Sequence, residues 1–241
     1  GNVIGRCVVM NYMDNPWFPH VLELERKRDK ANLDDATYRW IWEGAYLELS
    51  EAQIFRNKYE SKEFEADPKK WDGPYIGLDF GFSQDPTACV KVWIHDGCIW
   101  IDHEAGKVGL ELDDTVDFLK QRIPEIEKYP IGADSARPES ISHLKRKGLF
   151  RIKGVEKGKG SVEDGIEFIK SFKKVYIHPR CKQTLFEFRE YAYKKDRLTD
   201  EVLPIVVDAN NHYIDALRYA LEPIMKRKLR LNINPDILGQ L

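Results

Sequence analysis

Three stretches of the sequence place carboxylates where an acid needs a reason. In Tyr75-Ile76-Gly77-Leu78-Asp79-Phe80-Gly81-Phe82, strand alternation puts Ile76, Leu78, Phe80 and Phe82 on one face and Gly77, Asp79 and Gly81 on the other. A central strand is covered on both faces, and an ionised carboxylate there is costly unless something compensates it. The glycines beside Asp79 leave room for a ligand to approach. Asp134 closes the short run Pro130-Ile131-Gly132-Ala133-Asp134, at a strand's carboxyl end, where sites in open α/β sheets collect. It could equally cap the helix beginning near Pro138. His212 and Asp215 are three apart in Asn211-His212-Tyr213-Ile214-Asp215-Ala216-Leu217-Arg218-Tyr219 and share one helix face. On a helix that buried only Leu217, Leu221 and Ile224, both would simply face water.

These residues have a joint chemical sense. Three clustered aspartates repel one another unless a cation lies between them. Hard oxygen ligands suit Mg²⁺ or Mn²⁺, whereas Zn²⁺ prefers His and Cys. Two such ions about 3.5–4 Å apart stabilise the charge that develops on the attacking oxygen, the leaving oxygen and the phosphoryl group of a phosphodiester.

Bringing the three stretches together requires alternating strands and helices. Strands are expected at 75–82, 87–94 and 98–104, joined by Ser83-Gln84-Asp85-Pro86 and by the hairpin signal His95-Asp96-Gly97. A helix at 112–126, the strand ending at Asp134, a helix at 138–147 and a strand at 150–155 follow. Ser161-Val162-Glu163-Asp164 resembles a capping box opening another helix. Val175-Tyr176-Ile177 reads as a strand, 184–191 as a helix, 191–207 as a hairpin and 211–226 as the last helix. The result is an α/β fold with a mixed sheet: three antiparallel strands, then parallel ones, flanked by helices. Right-handed crossovers place the fourth and fifth strands beside the first, which carries Asp79 and is therefore central.

Residues 1–65 read differently. A short strand at 6–10, a turn at Asp14-Asn15-Pro16-Trp17-Phe18-Pro19 and helices at 20–30 and 34–47 have too few apolar residues for a core of their own. The expected division is a linker or docking segment over 1–65, the α/β domain over 66–228 and a tail over 229–241.

With 42% hydrophobic and 32% charged residues, the composition is that of a soluble globular chain. No apolar run approaches the roughly 18 residues that span a bilayer, so no membrane partner is expected. A basic stretch leading into an apolar one, the mark of a secretory signal, is missing. The four cysteines form no Cys-x-x-Cys pair, which argues against structural zinc and a disulfide framework and for a reduced, cytoplasmic setting. A net charge of −2 neither supports nor excludes nucleic acid. The chain starts at Gly1 rather than Met, which suggests a piece of a longer polypeptide.

Gly77-Leu78-Asp79-Phe80-Gly81, Asp85-Pro86-Thr87-Ala88, Ala133-Asp134-Ser135-Ala136 and the stretch from Asn211 to Tyr219 resemble, in this order, the nuclease domain of the large terminase subunit of tailed bacteriophages, of the RNase H-like superfamily. Upstream, Tyr12-Met13-Asp14-Asn15-Pro16 and Tyr38-Arg39-Trp40-Ile41-Trp42-Glu43-Gly44 resemble the segment linking that family's ATPase motor to its nuclease. The resemblance implies an RNase H-like sheet, Asp79, Asp134 and Asp215 as the acids holding Mg²⁺ or Mn²⁺, two ions in all, and His212 beside them. It implies double-stranded viral DNA as substrate, cut during genome packaging in the host cytoplasm. The implied partners are the motor of the same polypeptide, the portal protein and the small terminase subunit.

The motor's G-x-x-x-x-G-K-[ST] loop is not in this sequence, so no ATPase activity is expected. Lys153, Lys157 and Lys159, interleaved with Gly154, Gly158 and Gly160, form a basic loop before a helix start and are candidates for phosphate contacts, as are Lys194 and Lys195. A solvated lysine-rich surface explains them equally well. Three rival readings stand beside this one. Actin-like ATPases share Gly-x-Asp-x-Gly but need a second phosphate motif. Another RNase H-like nuclease, such as a Holliday-junction resolvase, would share the fold and the acids. A non-catalytic DNA-binding packaging module would not bring the three aspartates together.

Overall fold

The computed structural model describes residues 12–32, 38, 41–43, 52–81, 83–156, 158, 160–196, 198–199 and 201–231. The chain divides into two compact units, Gly1–Ser50 and Glu51–Leu241. In the first, α1 (His20–Asn32) follows a short 3-10 turn at Tyr12–Asp14. The expected strand at 6–10 and most of the expected helix at 34–47 lie outside the described residues.

The second unit is built on seven strands: β1 (Tyr59–Ser61), β2 (Asp72–Asp79), β3 (Pro86–His95), β4 (Cys98–Val108), β5 (Ile131–Ala133), β6 (Ile152–Gly154) and β7 (Val175–Ile177). Their order across the sheet is β1-β7-β4-β3-β2-β5-β6. β2, β3 and β4 are antiparallel neighbours, while β5 pairs parallel with β2 and β6 parallel with β5. The strand that carries Asp79 is interior to the sheet, with β5 and then β6 on its far side, as right-handed crossovers require. β1 is in the sheet too, and Ile54 and Phe55 are in the core, so the unit begins at residue 51 rather than at 66.

Helices cover both faces. On one, α4 (Ser161–Lys170), α5 (Lys182–Glu190) and α6 (His212–Leu231) contribute Ile166, Phe188, Ile214 and Leu217 to a core with Val90, Val92, Ile99 and Ile101. On the other, α2 (Thr115–Arg122) and α3 (Pro138–Arg146) bring Val116, Leu119 and Leu144 against Ile76, Leu78 and Ile131. The region expected as one helix at 112–126 is α2 followed by a separate 3-10 turn at Ile126–Lys128. A second sheet pairs β8 (Tyr193–Lys195) with β9 (Val202–Val206), the expected hairpin.

The glycines of the central strands serve the helix. A Cβ on Gly77 would fall 1.7 Å from the Ala216 carbonyl oxygen, and one on Gly132 2.5 Å from that of Tyr219. The α6 backbone therefore lies directly on β2 and β5, in the space expected to be open to a ligand. Gly81 is excluded from bearing a side chain by the turn, its Cβ position lying 2.2 Å from the Asp85 carbonyl oxygen. The capping box at Ser161 does not form: Gly160 enters α4 in the left-handed region (φ 80°) and no side chain caps it.

Candidate functional site

Asp79 is the last residue of β2 and is only 7% exposed. Asp134 follows β5 directly, and its N–H donates to the Leu78 carbonyl at 3.1 Å. The two aspartates thus stand on neighbouring strands at the same sheet end. Asp134 does not cap α3, whose N-cap is Arg137; its Oδ1 accepts the Ala136 N–H at 2.8 Å, closing a local turn.

From α6, His212 reaches back to this end. Its Nδ1 is 3.1 Å from Asp79 Oδ2 and its Nε2 3.4 Å from Asp85 Oδ1. The hydrogen bond to Asp79 raises the imidazole's pKa, burial opposes this, and the charges of Asp79, Glu187 and Asp85 add to the rise. Asp215, one turn on, is ion-paired to Arg218, whose Nη2 donates to the Ser161 carbonyl at 2.9 Å. Arg218 is itself buried against Gly165, where a Cβ would lie 2.6 Å from its Nε.

Tyr219 ties the three aspartates together electrostatically. Burial raises its phenol pKa most, and the charges of Asp215, Asp79 and Asp134 push it further the same way. All three acids therefore act on one buried hydroxyl. They are not gathered into a chelate, however: among the described residues no group of three or more His, Cys, Asp or Glu side chains is close enough to hold a metal ion. The contacts explain why. Asp79 is turned to His212, Asp134 to the Ala136 amide and Asp215 to Arg218. By residue type alone, carboxylate oxygens with one imidazole nitrogen fit a hard ion such as Mg²⁺ or Mn²⁺ better than Zn²⁺.

Residues 79–223, the span from Asp79 past Asp215, match the model of the terminase RNase H-like domain family. The chain belongs to that family. The large terminase subunit of Bacillus phage SPP1 is 32% identical over 222 residues, covering 90% of this chain and 51% of that protein. The PBSX phage terminase large subunit of Bacillus subtilis is 30% identical over 148 residues, covering 61% of this chain and 33% of the relative. The chain thus spans about half of the first relative and a third of the second. The crystal structure of the SPP1 large terminase nuclease domain with bound Mn superposes with a TM-score of 0.62 at 31% identity, over 69% of this chain and 97% of that one. The large terminase of a thermophilic bacteriophage shares the fold, at a TM-score of 0.55 and 19% identity over 88% of this chain and 54% of that one.

Around this terminase nuclease fold the basic candidates divide. Lys153 is exposed on β6, paired in register with Gly132, two residues from Asp134. Lys157 and Lys159 lie outside the described residues. Lys194 and Lys195 are exposed on β8, and the partner strand β9 lines a cavity together with Asp215 and Asn211. Three residues near the site went unread in the sequence. Asp85 was visible only in a turn and in one stretch of the family resemblance, Arg218 only as part of a motif, and Glu187 gave no signal. The Glu187 carboxylate, on α5, accepts the N–H groups of Tyr213 (2.7 Å) and Ile214 (3.0 Å).

Proposed function

We propose that the chain is a divalent-metal-dependent endonuclease that hydrolyses double-stranded viral DNA during genome packaging, with Asp79, Asp134 and Asp215 as its metal-binding acids. What supports the reading is the contact of His212, from the start of α6, with Asp79 at the sheet end where Asp134 also stands, in a chain of the terminase nuclease family. The Mn held by the SPP1 domain supports the choice of Mg²⁺ or Mn²⁺.

Two bound ions would supply Lewis-acid stabilisation of the phosphoryl group and an activated water. The chain's own residues do the rest. Asp79 and Asp134 present oxygens from rigid strand ends. Asp215 presents another once its carboxylate leaves Arg218, and Arg218 holds that carboxylate meanwhile. His212 orients Asp79, and with it water or DNA, rather than acting as principal ligand, because a hard ion prefers oxygen to imidazole nitrogen. Lys153, with Lys157, Lys159, Lys194 and Lys195, meets DNA phosphates without reading sequence. The ATPase motor of the same polypeptide, the portal protein and the small terminase subunit are the proposed partners, and the host cytoplasm the place. Among the described residues no helix is long and apolar enough to cross a membrane.

One observation favours a second reading, a DNA-binding packaging module without chemistry: among the described residues no three His, Cys, Asp or Glu side chains are close enough to hold a metal ion. Plasmid nicking by the pure chain in Mn²⁺ separates the two. Cleavage that stops with EDTA and with Asp79→Asn supports the nuclease. Binding without cleavage, or cleavage indifferent to both, refutes it.

A further inference from the structure

The first turn of α6 does not cap itself. Asn211, the residue type suited to the task, turns its side-chain amide to Asp208 Oδ1 at 3.2 Å, while its carbonyl accepts the Asp215 N–H at 2.7 Å. The free N–H groups of a helix start need acceptors when buried, and Tyr213 and Ile214 are buried. Oε2 of Glu187 takes both, from a neighbouring helix and from a side chain only 4% exposed. A carboxylate buried there answers the helix dipole as well as the two donors.

The helix carrying Glu187 is held in the same way. Glu104, on β4, accepts the N–H of Gln183 (2.9 Å) through Oε1, and the N–H and hydroxyl of Thr184 (2.8 and 2.7 Å) through Oε2. Two carboxylates therefore connect the sheet to α6: Glu104 seats α5 on β4, and Glu187 seats α6 on α5. The two residues whose N–H groups Glu187 holds lie between His212 and Asp215. Asp79 stands on the same sheet, and the 3.1 Å approach of His212 to it joins the end of this path to the direct seat of α6 on β2 at Gly77.

We infer that Glu187 is a positioning residue of the site, fixing the first turn of α6 and with it the placement of His212 and Asp215 relative to Asp79. The inference rests on the nuclease reading only for its effect on cleavage; its effect on geometry is independent of it.

The test uses the full chain with Glu187→Ala and Glu187→Gln, and Asp79→Asn as a control. Three quantities are read: Mn²⁺ affinity by electron paramagnetic resonance titration without DNA, kcat and KM for plasmid cleavage, and the His212 ring resonances by NMR. Glu187→Ala is expected to weaken Mn²⁺ binding and lower kcat about tenfold or more, the scale of supporting-residue losses at metal sites, with KM for DNA little changed. Its His212 resonances should shift even without metal. Glu187→Gln retains an acceptor oxygen and should recover most of the loss. A folded Glu187→Ala chain with wild-type His212 resonances overturns the inference. So does one with wild-type Mn²⁺ affinity and kcat. If Glu187→Ala fails to fold, a Glu187→Gln chain whose Tyr213 and Ile214 amide signals move while His212 and Mn²⁺ binding do not overturns it equally. If the wild type neither binds Mn²⁺ nor cuts, or if Asp79→Asn cuts normally, the nuclease reading fails, and the His212 resonances still decide the role of Glu187.

Discussion

Nδ1 of His212 lies 3.1 Å from Oδ2 of Asp79, although 133 positions separate them in the chain. The contact joins the start of α6 to the end of β2, and it holds a largely buried carboxylate against an imidazole whose protonated form it favours. An acid so placed is either a structural ion-pair partner or half of a site, and substitution tells which.

Asp79→Asn and Asp215→Asn keep size and hydrogen-bonding capacity but remove the charge that draws a cation. Each should lower the cleavage rate by about 10² or more, roughly 3 kcal/mol of barrier, with an unchanged circular dichroism spectrum. His212→Ala should cost about tenfold, as expected of a residue that orients a ligand rather than binding metal itself. Single-turnover rates on plasmid DNA check this, and a loss in His212→Ala matching that in Asp79→Asn would make the imidazole a direct ligand.

Mn²⁺ should stabilise the folded chain, because a ligand that binds only the native state adds RT ln(1 + [L]/Kd), about 2.7 kcal/mol at a hundredfold excess over Kd. The melting temperature should rise with added Mn²⁺, fall back with EDTA and hardly respond in Asp79→Asn. An equal rise in wild type and Asp79→Asn would place the bound ion elsewhere.

Gly77→Ala should be among the most damaging substitutions in the chain. Its Cβ would meet the Ala216 carbonyl at 1.7 Å, and backbone cannot turn aside as a flexible side chain can. A loss of about 3 kcal/mol or more in urea unfolding is expected. Gly158→Ala is the contrast, since among the described residues nothing lies within 4 Å of its Cβ position. It should be neutral or gain about 0.5 kcal/mol.

Burial raises the Glu187 carboxyl to about 7, against the bonds from Ile214 and Tyr213 that favour its charged form. A folded-state pKa above the usual 4.5 means that the native chain holds this proton more tightly than the unfolded one. The stability it confers is complete below pH about 4.5 and is lost as pH rises to about 7. Glu187→Gln cannot titrate. Relative to that variant, the wild type should therefore lose up to about 3 kcal/mol across this window. Parallel stability curves for the two chains, measured by denaturant at several pH values, would rule the shift out.

DNA binding by the pure chain should be sequence-tolerant and fall steeply with salt, since phosphates are the proposed contacts. Replacing Lys153 should weaken binding alike for unrelated sequences and reduce the slope of log K against log salt by about one. Fluorescence anisotropy titrations at several salt concentrations decide it, and a flat salt dependence would remove the basic loop from the interface.

Much of this protein could be read before it was folded, because the signals are local. Ile76 and Leu78 point away from Gly77 and Asp79 because strand side chains alternate, whatever the partner strands are. The hairpin and the final helix follow from period and turn chemistry alone, while the ordered motif stretches were legible through the family resemblance. Tertiary structure decided what those elements meet. Gly77 makes room for the α6 backbone rather than for a ligand, a fact about Ala216 that no property of the strand contains. Ser161 lost its capping role when Gly160 took the left-handed turn, and its carbonyl went to Arg218 instead. Arg218 answers Asp215, and Glu187 caps a helix 26 positions further along the chain. A lone glutamate on a helix looks the same in sequence whether it faces water or a neighbouring helix start. Only packing removes the water and supplies the two N–H groups, and that packing exists once α5 and α6 share one face of the sheet.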